Sequence, residues 1–148
     1  MADILHRLEI KAFPAETYRA LTARESLAGW WTTGTQGAFH VGGVIEFRFG
    51  ALGGFDMKVI ELDTARRVVW QVVDGPGEWI GTKVSFDLKP DEDDTVVMFK
   101  HQGWKEPSEF MHHCSTKWAM YLMSLKSLVE TGTGAAFPND VHITVKAD

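Results

Sequence analysis

Apolar and polar side chains alternate with a period of two through most of the first two thirds of the chain, and then recur at spacings of three and four. Ile4, Leu8 and Ile10 share one parity, with His6 as the polar residue among them, which predicts a strand from Ile4 to Ile10. Pro14 interrupts this pattern and suits a first helical turn, where its missing N–H costs nothing. Tyr18 and Leu21 support a short helix over Ala15 to Thr22, and a second covers Glu25 to Trp30. Helices this short are marginal alone and must pack on something larger.

From Gly34 to His101 the texture is alternation punctuated by turns. Val41-Gly42-Gly43-Val44 is a hairpin signal, because glycine accepts the positive φ of a tight turn. Ile45, Phe47 and Phe49 oppose Glu46 and Arg48, and Phe55, Met57 and Val59 oppose Asp56 and Lys58. Ala65-Arg66 marks a turn, Val68 to Val73 the next strand, and Asp74-Gly75-Pro76-Gly77 another turn. Ile80, Thr82, Val84, Phe86 and Leu88 alternate with Gly81, Lys83, Ser85 and Asp87. Pro90 to Asp94 forms a charged tip, and Thr95, Val97, Phe99 and His101 share the inner parity of a last strand. This predicts an antiparallel meander of about six strands with one apolar face.

After Pro107, Ser108 opens a helix in which Met111, Cys114, Trp118, Leu122, Leu125 and Val129 form one stripe. It runs for about 22 residues, or about 33 Å, and Gly132 and Gly134 end it. The tail from Thr131 to Asp148 is turn-rich, then alternates at Val141, Ile143 and Val145, which reads as a short extra strand or an arm onto a partner. No repeat or linker divides residues 1–148, so the chain reads as one α+β domain. A twisted sheet of about seven strands would wrap around the long helix, each hiding the other's apolar face.

Composition narrows the function classes. Asp and Glu outnumber Lys and Arg by 20 to 15, and the net charge of −5 argues against a nucleic-acid partner. One cysteine, Cys114, excludes an intrachain disulfide. MADILHRLEI has no leader-like apolar stretch, and no run approaches the ~20 apolar residues of a membrane span, so a cytoplasmic location is the default expectation. Six tryptophans and nine phenylalanines are unusual, and their area must lie in a core, a cavity wall or an interface.

Several ordered segments carry a resemblance. Ala15 to Thr22 precedes Leu27-Ala28-Gly29-Trp30-Trp31, and Val41-Gly42-Gly43 is followed by Phe47. Val59 to Asp63 leads to Arg67-Val68-Val69-Trp70. Thr82 to Leu88, Thr95 to Gly103, and Trp118 with Leu122, Leu125 and Leu128 complete the set. Together these resemble the START/Bet v 1-like (SRPBCC) superfamily, and within it the group named after the activator of heat-shock protein 90 ATPase (AHSA-type). Lys117 departs from the pattern, where a glycine is expected ahead of the tryptophan. The resemblance implies a helix-grip fold with an apolar cavity between sheet and helix. It leaves function open, because this fold hosts carriers, cyclases, hydrolases, receptors and co-chaperones.

Set against ordinary core packing, the cavity reading assigns the wall to Trp30, Phe47, Phe49, Phe55, Met57, Trp70, Phe86, Phe99, Met111, Cys114 and Trp118. His101 is the polar candidate, as a ligand hydrogen-bonder or general base, with Glu61, Tyr121 or Tyr18 as helpers, against a structural histidine bonded within the core. His112-His113 point about 100° apart on a helix and make a poor metal site; they read as solvated. Cys114 on the apolar stripe reads as an inert small hydrophobe. Asp91-Glu92-Asp93-Asp94 lacks the ligand spacing of a calcium loop and reads as a charged tip. No metal or cofactor is expected, and no dinucleotide, phosphate-loop or hydrolase motif occurs. The expected function is binding of a small hydrophobic molecule. The alternatives are a cyclase-, dehydratase- or hydrolase-like enzyme using His101, and a co-chaperone-like ATPase activator. Trp79 and Trp104, expected at the surface, and the tail leave room for a homodimer.

Overall fold

A computed structural model describes residues 1–145. Strand β1 (Ala2–Ile10) leads into helices α1 (Pro14–Thr22) and α2 (Arg24–Trp30). Strands β2 (Gly34–Gly37), β3 (Val44–Arg48), β4 (Gly54–Asp63), β5 (Arg67–Asp74), β6 (Lys83–Asp91) and β7 (Asp94–Trp104) follow, and then helix α3 (Glu109–Thr131). The seven strands form one antiparallel sheet in the order β1-β7-β6-β5-β4-β3-β2. The last strand of the meander therefore lies beside the first strand of the chain, as a helix-grip fold requires.

Alternation places the core as the sequence predicts. Ile45, Phe47, Met57, Val59, Val68, Trp70, Val84, Phe86, Val97 and Phe99 point inward and are buried. Phe86 pairs across the sheet with Phe99 and Val68, so aromatic and β-branched side chains meet on one face. Cys114, Trp118, Leu122 and Leu125 of α3 bury their stripe against this face, joined by Leu21, Leu27 and Trp30 from the short helices.

The structure differs from the pattern in four places. Gly34-Thr35-Gln36-Gly37 has no apolar alternation, yet it forms β2 because β3 templates it residue by residue. Ile80 leaves the expected strand: β6 begins at Lys83, and Ile80 is 52% exposed in the preceding turn. Trp79 and Trp104, expected outside, are 6% and 0% exposed. The alternation at Val141, Ile143 and Val145 forms no strand among the described residues. Instead the tail bridges at Phe137, whose N–H donates to Trp31 O (2.9 Å) and whose carbonyl accepts from Thr33 N (3.2 Å). The tail's last three residues lie outside those described.

Helix α3 starts as its sequence predicts. Ser108 is the N-cap, and its Oγ accepts from Met111 N at 3.2 Å. Gly132 ends the helix at φ 85°, where its N–H donates to Leu128 O. Ser108 Oγ also donates to Glu78, tying the cap to the turn before β6. Ser108→Ala is expected to cost about 1 kcal/mol, read as a lower midpoint in urea unfolding.

Candidate functional site

Two connections, the first half of α3 and the tail meet at one end of the sheet. The β3–β4 link (residues 49–53), the β5–β6 link (residues 75–82), the first half of α3 and residues 137–142 enclose a pocket of about 690 Å³. Trp31, Phe55, Trp79 and Trp118 supply its aromatic walls, with Phe49, Leu52, Phe110 and Phe137 around them. Gly75, at φ 139°, is required here: a Cβ on it would come within 2.7 Å of Phe55 Cβ. A side chain at this position would drive the Phe55 ring out of place.

The rings pack by mutual contact. Trp31 lies 4.3 Å from Phe47, 5.2 Å from Phe55 and 4.9 Å from Trp118, centroid to centroid, and stacks on Trp30 and Trp70. Trp79 sits 4.4 Å from Phe55 and stacks on Trp118. The residues expected to wall a cavity therefore divide. Phe49, Phe55, Cys114 and Trp118 line the pocket. Trp30, Phe47, Met57, Trp70, Phe86 and Phe99 fill the interior between sheet and helix and do not line it, and neither does the half-buried Met111. The space lies at the end of the sheet, beyond a filled core.

His101 is 0% exposed and does not line the pocket. Trp118 Nε1–H donates to its Nδ1 at 3.1 Å, which leaves the proton on Nε2. Nε2–H then donates to Thr82 Oγ1 (2.8 Å), and Thr82 Oγ1–H donates to Trp79 O (2.5 Å). Burial pushes the imidazole down to about 3, so it stays neutral. With both nitrogens committed and no route to the pocket, His101 holds Trp118 and Trp79 in place and is not available as a base.

Cys114 does line the pocket, and its Sγ accepts from Trp79 Nε1 at 3.4 Å. Burial pushes the thiol up to about 12, which keeps it protonated. Iodoacetamide at neutral pH is expected to leave Cys114 unmodified in the native protein over a time that labels it fully in urea, by intact-mass measurement.

Polar groups sit at two edges of the pocket. Arg48 Nη1 donates to Asp56 Oδ1 at 2.7 Å and to the carbonyls of Phe47 and Phe55. The Asp56 carboxylate holds the guanidinium above its ordinary value. At the other edge, Lys117 Nζ and Tyr121 OH both donate to Asp140 Oδ2, at 2.8 and 2.9 Å. Lys117, the departure from the expected glycine, thus joins Tyr121 in tying the helix to the tail. His113 stacks on Phe110 and lines the pocket, whereas the neighbouring His112 is exposed. Among the described residues no group of histidine, cysteine and carboxylate side chains could hold a metal ion. Trp31, Trp79, Lys117 and Asp140 were not predicted as site residues; Tyr121, expected as a helper to His101, lines the pocket without it. A tryptophan pair signals Trp31, but nothing local signals Asp140 in a polar tail.

No helix among the described residues is long and apolar enough to cross a membrane. A solved solution structure, the Aha1 dimer from Colwellia psychrerythraea, is 46% identical, covers 90% of this chain and 100% of that one, and superposes with a TM-score of 0.84. A protein from Staphylococcus saprophyticus (15% identity, 91% and 97% coverage, TM-score 0.75) shares the fold. So does one from Micromonospora echinospora (20%, 88% and 77%, 0.72). Among curated proteins no match is found. The model of the Activator of Hsp90 ATPase homolog 1-like proteins matches residues 11–130, and the chain belongs to that family.

Proposed function

We propose that the protein binds a small, largely apolar molecule in the pocket at the end of the sheet. The observation that carries this reading is a space of about 690 Å³ walled by Trp31, Phe55, Trp79 and Trp118. Ligand sites typically span about 300–1,000 Å³, with apolar walls and a few polar groups that orient the occupant. Here the polar groups stand at the edges, at Arg48–Asp56 and at Lys117–Asp140. Native mass spectrometry against a panel of fatty acids and polycyclic aromatics tests the reading. A one-to-one complex with one class is the expected result, and no complex with any of them overturns it.

A second reading concerns assembly. The 46% identical relative is described as a dimer, and the family takes its description from an activator of an ATPase. Both support a homodimer that engages a chaperone ATPase. Trp79 and Trp104 do not contribute a surface for it, since both are buried. Sedimentation velocity at micromolar concentration should show twice the monomer mass. A titration of the chain into a purified chaperone ATPase should raise ATP turnover; an unchanged rate removes the activator part.

A further inference from the structure

The tail completes the pocket with a carboxylate that is only half satisfied. Asp140 is 6% exposed and lines the pocket. Its Oδ2 accepts from Lys117 and Tyr121, while Oδ1 is buried and accepts no hydrogen bond among the described residues. A buried carboxylate oxygen without a donor is costly, and native structures seldom leave one so. Asp140 lies in the tail, beyond residue 130, where the family match ends.

We propose that Asp140 Oδ1 is the polar anchor of the pocket, and that the ligand is a flat aromatic molecule bearing a neutral O–H or N–H donor, such as a phenol. This rests on the pocket being a ligand site. The aromatic part follows from the walls, where Trp31, Phe55, Trp79 and Trp118 offer ring faces and edges. The donor follows from the orphan oxygen, which can only accept. Neutrality follows from Lys117, whose ammonium at 2.8 Å already balances the carboxylate. Oδ1 is closed to water. A donor reaches it through a small shift of the tail, in which Asp140 is the one buried residue of 138–142. Segments with so little burial move at low cost.

Isothermal titration calorimetry with beta-naphthol and its methyl ether tests the anchor, because the two probes differ in one donated proton. The naphthol should bind about tenfold or more tightly than the ether, as expected for a hydrogen bond to a charged acceptor. In Asp140→Asn, which keeps the shape and presents an amide, the two affinities should converge. Equal affinities in the wild-type protein would overturn the anchor and leave the pocket reading standing. Binding of neither probe would overturn the anchor, and the pocket reading would then be decided by the fatty acids of the mass-spectrometry panel. Should the variant not fold, carbon-detected NMR of the wild-type protein decides. The Asp140 carboxyl resonance must move with naphthol and stay put with the ether, and an unmoved resonance with naphthol overturns the proposal.

Discussion

Trp31→Ala is expected to lower the unfolding free energy by about 3–5 kcal/mol, the range for removing a large aromatic side chain from a packed core. The cost should lie at the upper end, because the ring is shared. Trp31 stacks on Trp30 and Trp70, tilts against Phe47, Phe55 and Trp118, and meets Tyr121 edge-on. Its removal strips contacts from the sheet, from α3 and from the pocket wall at once. Collapse cannot fill the space, since the neighbouring rings are held by strands and helix on opposite sides. Urea unfolding followed by far-ultraviolet circular dichroism measures the loss. Trp31→Phe keeps an aromatic face and should recover more than half of it. An alanine variant within 1 kcal/mol of wild type would show that the rings repack freely.

The second large effect is acid sensitivity set by His101. Its ordinary value is 6.5, and burial lowers it to about 3 in the folded protein. Between those values the unfolded chain binds a proton that the folded one excludes. Stability therefore rises with pH through this window and is lost as pH falls. The contribution is complete above about pH 6.5, and it has fallen by about 2 kcal/mol at pH 5 and by about 4 kcal/mol near pH 3. Carboxylates act in the same direction. Glu130, held low mainly by Lys126, also takes up a proton on unfolding in acid. The His101 share is isolated by comparison with His101→Gln, which cannot titrate. The variant is expected to be less stable at pH 7, because Trp118 Nε1 and Thr82 Oγ1 lose a well-aligned partner. Its stability should nevertheless fall less steeply from pH 7 to pH 4. Parallel curves for the two proteins would show that the imidazole titrates freely in the folded state.

Both predictions concern residues whose burial alternation could reach only in part. The parity of β7 places His101 inward beside Phe99 and Val97, since strand side chains alternate by geometry alone. The inward faces of β3 to β6 and the stripe of α3 were legible for the same reason. The pocket was not legible in this way. Its walls come from the links at residues 49–53 and 75–82 and from the tail, and such segments have no period to read. Trp79 shows the difficulty. It stands next to Ile80, and strand parity favours Ile80 as the inward residue. The turn reverses that, because Thr82 Oγ1 hooks Trp79 O and the indole folds back onto Cys114. Asp140 gives no local signal at all, for one aspartate in a polar tail becomes informative only when Lys117 and Tyr121 are seen around it. The family resemblance supplied the helix-grip arrangement and the idea of a cavity. It placed that cavity between sheet and helix; the pocket lies there only at one end, where Phe55 faces Cys114 and Trp118, and Trp70, Phe86 and Phe99 fill the rest.

The six tryptophans have an optical consequence. All are buried, so a quencher dissolved in water can approach them only by way of the pocket. Their rings stack within about 6 Å of one another from Trp30 through Trp31 to Trp70, and from Trp79 to Trp118. Excitation absorbed at one indole is thus shared with others before it is emitted. Three of the six, Trp31, Trp79 and Trp118, also face the pocket. An occupant there that absorbs in the near ultraviolet would drain light from the whole array, which makes the protein its own gauge of whether the pocket is full.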